Sequence, residues 1–146
     1  MKSNTNYSFD CLIGIERAIL STLITYPEVD KINEAISLIE ANDFYFEQHG
    51  LIFNTIIDQY NNDRPIDEIT VYLRNKAKIQ ENYYLEVISA NPLASITDYL
   101  KQLKFYSLER QITVVAAKVK EGDFKKINDL QVLQDKMESL GEIRDL

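Results

Sequence analysis

One segment near the C-terminal end of the sequence restricts the possible folds more than any other. The residues from Ser95 to Glu121 predict one continuous helix, about 40 Å long at ~1.5 Å per residue. Its apolar side chains lie on two roughly opposite faces. The first face carries Ile96, Tyr99, Leu100, Leu103 and Tyr106. The second face carries Phe105, Leu108, Ile112, Val115, Ala116 and Val119. We therefore predict that the first half packs on a globular body and the second half on another helix; the alternative is a kink that brings both faces into one core.

The residues that follow predict a partner helix and hence a helical hairpin. Gly122 suits the position after a helix C-terminus, and Asp123 suits the cap of the next helix. At the start of the long helix, Ser95 and Asp98 approximate a capping box. The partner helix carries Ile127, Leu130, Leu133, Met137 and Leu140 at steps of three and four. Two helices alone bury little apolar surface, so a second subunit is expected to complete the packing. The candidates for this self-association are Leu108, Ile112, Val115, Leu130, Leu133 and Met137.

The preceding part of the chain predicts a compact bundle of short helices. Apolar periodicity indicates helices over about 10–26, 29–39, 47–61, 67–76 and 81–90, with Asp67 as the cap of the fourth. Four Gly and three Pro are too few for a turn-rich β fold. We predict an all-α protein with a disordered leader at 1–9, a globular helical bundle at 10–91 and a helical hairpin at 92–146. The dipeptide Asn91-Pro92 is the clearest boundary.

Composition and charge exclude several classes of function. A net charge of −7 argues against direct binding of nucleic acid, and the basic run of Lys118, Lys120, Lys125 and Lys126 is interrupted by acidic residues and predicts a solvated helix end. Cys11 is the only cysteine and is expected to be a small buried apolar residue. The sequence has no signal peptide and no apolar stretch near the ~20 residues that span a bilayer, so we expect a cytosolic protein without membrane contact.

The sequence contains no pattern that indicates catalysis, a metal site or a cofactor. Gly14, Gly50, Gly122 and Gly141 are isolated, and none belongs to a Gly-rich phosphate loop that ends in Lys-Ser/Thr. His49 is the only histidine and lies on the same helical face as Ile52, Phe53 and Ile56, which favours a core or capping role over that of a base or a metal ligand. We predict no catalytic, cofactor-binding or metal-binding residues in this chain.

Several short motifs lie in a defined order along the chain. They are Ile15-Glu16-Arg17-Ala18-Ile19-Leu20, Asn42-Asp43-Phe44-Tyr45, His49, Ile52-Phe53, Pro65-Ile66-Asp67 and Thr70. Together they resemble the N-terminal domain of DnaB-family replicative DNA helicases, over roughly Gly14 to Phe124. The resemblance implies a helical bundle and a hairpin whose hairpins pair into dimers, with three dimers forming a collar that docks the C-terminal domain of primase. The motor domain, which would bind ATP and Mg²⁺, would lie beyond Leu146, so the parent protein would be an ATP-dependent DNA helicase.

The resemblance also nominates residues for contact with primase. The segment Tyr84-Leu85-Glu86-Val87-Ile88 matches a family segment through Tyr84, and positions on the long helix fall near Thr113 and Val119. Two alternatives remain open at this point. The chain could be the helicase-binding C-terminal domain of a primase, which has a similar fold, or a stand-alone helical adaptor or regulator. The opening Glu16-Arg17-Ala18-Ile19-Leu20 and the later Pro65-Ile66-Asp67 favour the helicase side.

Overall fold

The protein is all-helical over residues 9–141, the part of the chain that the computed structural model describes. Its seven α-helices there are α1 (Phe9–Thr25), α2 (Val29–Leu38), α3 (Glu47–Asn61), α4 (Glu68–Asn75), α5 (Glu81–Ile88), α6 (Thr97–Lys120) and α7 (Ile127–Ser139). Short 3-10 turns at Ala41–Asp43 and Phe124–Lys126 precede α3 and α7. The all-α prediction is confirmed. Most of the predicted leader and the last residues of the hairpin, 142–146, lie outside the described residues, whereas Phe9 begins α1.

The main hydrophobic core forms around α1, which packs against α3, α5 and α6. Six apolar side chains of α1 belong to this core: Leu12, Ile15, Ile19, Leu20, Leu23 and Ile24. Two polar side chains of α1 hold the connection between α5 and α6 in place. Ser21 Oγ donates to the Ala90 carbonyl at 2.6 Å, and the Leu93 amide donates to Thr22 Oγ1 at 2.8 Å. The chain therefore enters α6 from a fixed position on the bundle.

Helix α6 contributes to two separate cores. Leu100, Leu103 and Tyr106 in its first half belong to the main core. Leu108 forms a second, smaller core with Leu133 and Leu140 of the hairpin. Because α6 is continuous from Thr97 to Lys120, the predicted change of face is confirmed, and the alternative of a kink that merges both faces into one core is wrong.

The helix ends agree in part with the sequence. Asp67 caps α4 as predicted, because its Oδ1 accepts from the Thr70 amide at 2.8 Å and the Ile69 amide at 3.0 Å. The bond from the Thr70 amide is the main reason that the pKa of Asp67 lies below its ordinary value. Gly122 follows α6 with a φ of 110°, as its predicted position requires. The capping box at Ser95 is wrong: α6 starts after Ile96 and has no side-chain cap. Asp123 likewise makes no cap with its side chain.

The prediction that Cys11 is buried is wrong, and α5 shows a similar division of its apolar residues between core and solvent. Cys11 is exposed at the start of α1, next to the buried Leu12. On α5, Val87 is buried and Leu85 is exposed. Neighbouring residues on a helix point ~100° apart, so one can face the core while the next faces solvent. Because α5 has only two turns, its apolar pattern does not decide which of two neighbouring apolar residues is buried.

Candidate interaction surface: the hairpin and its anchor

A buried polar network fixes the entry to α3 against α1. Glu16 and His49 are both fully buried, and His49 Nδ1 donates to the Glu16 carboxylate at 2.7 Å. The same carboxylate accepts the Tyr45 amide at 2.7 Å and the Phe46 amide at 3.5 Å. On the other side of the imidazole, the Tyr83 hydroxyl is 2.8 Å from Nε2. The predicted core role of His49 is confirmed, and the network connects α1, the 44–46 connection, α3 and α5.

A second polar joint attaches α6 to the turn before α3. The Asp43 carboxylate is buried and accepts from the Glu40 amide at 2.8 Å, from Ser107 Oγ at 2.7 Å and from Lys104 Nζ at 3.0 Å. Arg110 Nη2 donates to the Asp43 carbonyl at 2.9 Å. Since Lys104, Ser107 and Arg110 follow one another along a single face of α6, the joint sets the direction in which the hairpin leaves the bundle.

The outer part of the hairpin is incompletely buried by its own two helices. Beyond Leu108 no residue of α6 is buried, and on α7 only Leu133 is. The half-buried apolar residues here are Ile112, Val115, Val119, Leu130 and Met137. The large exposed ones are Val114, Phe124, Ile127 and Val132, with Phe124 at 68% exposure. Apolar side chains left exposed or half-exposed in this number are typical of a protein interface.

The predicted self-association residues therefore fall into two groups. Leu108 and Leu133 are buried inside the hairpin, where they hold α6 against α7 and cannot contact a second copy in this conformation. Ile112, Val115, Leu130 and Met137 are half-buried at the edge of the same core and remain candidates for an intermolecular contact.

The three predicted primase contacts do not form a single surface. Tyr84 is 2% exposed in the main core, and its hydroxyl donates to the Glu68 carbonyl at 2.6 Å. Burial raises the pKa of this hydroxyl. The nomination of Tyr84 as a direct contact is thus wrong for this conformation, because its ring and hydroxyl are already used inside the bundle. Thr113 is exposed and Val119 is half-buried, both on the outer half of α6.

The exposed neighbour of Tyr84 is Leu85, with 47% of its surface accessible. It lines a groove of 610 Å³ between α1 and α5, together with Ile13, Gly14, Arg17 and Glu86. Arg17 lies 5.2 Å from the centre of the Tyr83 ring and 3.6 Å from the Glu86 carboxylate. A partner that approaches α5 would therefore meet Leu85 and this groove.

Neither polar joint could be predicted directly from the sequence, although the Glu16–His49 network left a signal. Glu16 stands among apolar residues on the buried stripe of α1, and a carboxylate in that position requires hydrogen-bond donors. His49 is the only histidine and occupies the equivalent inward position on α3. Within residues 9–141, no cluster of three or more potential metal ligands occurs, and no helix is long and apolar enough to cross a membrane.

Comparison with known proteins agrees with this architecture. Residues 9–105 match a family model described as the DnaB-like helicase N-terminal domain. The replicative DNA helicases DnaB of two Helicobacter pylori strains, J99 and 26695, are each 30% identical over 112 residues, which is 75% of this chain. The matched region is only 23% and 22% of those helicases, so the chain spans less than a quarter of their length.

Solved structures show the same fold. The N-terminal domain of Helicobacter pylori DnaB helicase, described together with its interactions with primase, has a TM-score of 0.72 at 29% identity, covering 83% of this chain and 97% of that one. The N-terminal domain of DnaB helicase from Mycobacterium tuberculosis has a TM-score of 0.69 at 19% identity, covering 83% and 94% of the two chains.

Proposed function

Since the chain belongs to the family of DnaB-like helicase N-terminal domains, we propose that it forms the collar of a bacterial replicative DNA helicase. In this role it joins copies of itself through the hairpin, as a dimer and then a trimer of dimers, and it docks the C-terminal domain of primase. ATP and Mg²⁺ would act in the remaining part of such a helicase, because this chain contains no phosphate loop. The family match favours the helicase over the primase-side alternative.

The observation that carries the proposal of self-association is the exposure of the hairpin beyond Leu108. That segment of α6 contains Ile112, Val114, Val115 and Val119, and none of them is buried within the chain. Each Å² of this apolar surface that a second copy covers would stabilise the dimer by about 25 cal/mol. A pair of hairpins would bury part of this surface, around Ile112 and Val115, without any change in the bundle.

We expect the chain to form dimers or larger species, and the double substitution Ile112→Lys/Val115→Lys to convert them to monomer. A lysine ammonium that loses water in an apolar contact costs on the order of 3 kcal/mol or more, which corresponds to roughly 100-fold weaker association. Light scattering over a concentration series measures the effect. Far-UV circular dichroism of the same samples checks that the hairpin is still helical.

The matched control is Ile69→Lys/Leu73→Lys on α4, which removes two exposed apolar side chains and adds the same charge at a distance from the hairpin. This pair should leave the association unchanged. If wild type is monomeric at high micromolar concentration, the proposed self-association is wrong. If the α4 pair alone produces monomer, the interface lies on α4 instead.

For primase, we propose contacts from the outer half of α6 and from α5. On α6 the candidates are Thr113 and Val119, and on α5 Leu85 replaces the buried Tyr84. Leu85 combines an exposed apolar side chain with the adjoining groove of 610 Å³, which gives a partner side chain a place to insert. These positions are well separated in the single chain, so primase would have to contact the bundle and a hairpin together.

We expect Leu85→Asp and Val119→Asp each to weaken binding of the cognate primase C-terminal domain by roughly 30-fold, the effect of losing about 2 kcal/mol at an interface hot spot. Isothermal titration measures the affinity. Tyr84→Phe is the control: it removes only the internal bond to Glu68, so primase should bind it as tightly as wild type. Full affinity in both aspartate variants would exclude these contacts, and no binding to primase would favour the stand-alone adaptor.

A further inference from the structure

A polar cleft of 310 Å³ lies where three elements of the fold meet. The turn before α3 contributes Glu40 and Asp43, α6 contributes Lys104 and Arg110, and α7 contributes Lys136. We propose that this cleft binds a carboxylate presented by an Asp or Glu side chain of a partner protein. The proposal does not depend on the identity of that partner or on the function proposed above.

The Asp43 carboxylate is not available to a ligand, because the chain already satisfies it. Its two oxygens accept from the Glu40 amide, from Ser107 Oγ and, at 3.2 and 3.0 Å, from Lys104 Nζ. Ser107 Oγ in turn accepts from Gln111 Nε2 at 3.1 Å. Asp43 and Lys104 therefore form an internal ion pair at the floor of the cleft.

Arg110, in contrast, lacks a carboxylate partner within residues 9–141. Its Nη2 donates to the Asp43 carbonyl, and its guanidinium lies 5.2 Å from the centre of the Tyr45 ring. Its Nη1 is buried and has no hydrogen-bond acceptor among the described residues. A buried guanidinium donor without an acceptor is unusual in a folded protein. Because this nitrogen is shielded in the unliganded chain, an anion in the cleft would bind it after the Arg110 side chain turns toward the cleft, and the new charge-assisted hydrogen bond would favour that turn.

The charges around the cleft fit an anion with a single negative charge. Lys104, Arg110 and Lys136 are cationic, whereas Glu40 and Asp43 are anionic, so one positive charge is in excess. This excess is local, since the chain as a whole carries a net charge of −7. A carboxylate would neutralise it, and the planar guanidinium is suited to carboxylate geometry. A phosphate dianion would exceed the available charge close to the Asp43 carboxylate.

The test is a titration of the ¹⁵N-labelled 146-residue chain with sodium acetate at constant ionic strength, followed by NMR. We expect saturable shifts of the Arg110 and Gln111 backbone amides and of the Arg110 side-chain N–H. Arg110→Gln and Lys136→Gln should each weaken the apparent affinity about tenfold, the effect of losing one charge-assisted hydrogen bond. Lys118→Gln, which removes an exposed lysine on the last turn of α6, should not change it.

Lys136→Gln keeps the test valid if Arg110→Gln disturbs the joint, because Lys136 is exposed and contributes nothing to the core. Chemical-shift changes that rise linearly with acetate concentration would overturn the proposal. Equal acetate affinities of wild type and Lys136→Gln would also overturn it. Tighter binding of inorganic phosphate than of acetate would also overturn it, and would assign the cleft to a phosphoryl group.

Discussion

Glu16→Ala is expected to lower the free energy of unfolding by about 3–5 kcal/mol, because each buried donor left without an acceptor costs about 1–3 kcal/mol. The substitution leaves His49 Nδ1 and the amides of Tyr45 and Phe46 without an acceptor in the interior of the bundle. A loss of this size is a large part of the 5–15 kcal/mol that stabilises a typical domain. Urea denaturation followed by circular dichroism measures it.

Two further variants test whether the loss of stability comes from the hydrogen bonds of the network or from any removal of a carboxylate. Glu16→Gln keeps an oxygen that can accept the Tyr45 amide, so it should cost only about half as much as the alanine variant. Glu86→Gln on α5 removes an exposed carboxylate from a 3.6 Å contact with Arg17 and should change the stability by less than about 0.5 kcal/mol. If the free energy of unfolding of Glu16→Ala lies within about 1 kcal/mol of the wild-type value, the network does not stabilise the fold.

Asp43→Ala is expected to have a comparable cost, about 3 kcal/mol, and also to release the hairpin from its fixed direction. It leaves the largely buried Lys104 ammonium without its carboxylate and deprives Ser107 of its acceptor. Distances between spin labels at the exposed positions Asn54 and Gln134, with the exposed Cys11 replaced by Ser, report the direction of the hairpin. Their distribution should broaden in the variant.

The control for this joint is a double-mutant cycle with Lys104→Met. Lys104→Met keeps the aliphatic part of the side chain and leaves Asp43 with its bonds from Ser107 and the Glu40 amide. Coupling between positions 43 and 104 should be on the order of 1–3 kcal/mol, as for directly interacting residues. A coupling near zero together with an unchanged distance distribution would show that the joint does not orient the hairpin.

The sequence allowed accurate prediction where a helix is long and its apolar pattern is regular. The bounds of α3 are those predicted, and the change of face along α6 correctly indicated two cores. Both predictions rest on local periodicity, which depends only on the geometry of a single helix.

Predictions failed where the outcome depends on how helices are placed relative to each other. On α5, Tyr84 and Leu85 are adjacent apolar residues, and Tyr84 is the buried one because it packs against α4, where it contacts the Glu68 carbonyl and the Tyr72 ring. Cys11 is exposed for the same reason, because α1 turns Leu12 toward the core. Glu16 and His49 are 33 residues apart, so no local pattern could indicate that they meet.

The division of the apolar side chains into a large and a small core has a consequence for cooperativity. The small core rests on Leu108, Leu133 and Leu140 and is joined to the rest of the molecule through one continuous helix. Such a unit opens at a lower free energy than the bundle and can do so while the bundle stays folded. Any surface that covers the outer hairpin adds its binding free energy to that local equilibrium. Assembly would therefore be coupled to the final folding step of α7, and subunit concentration would determine how often the hairpin is open.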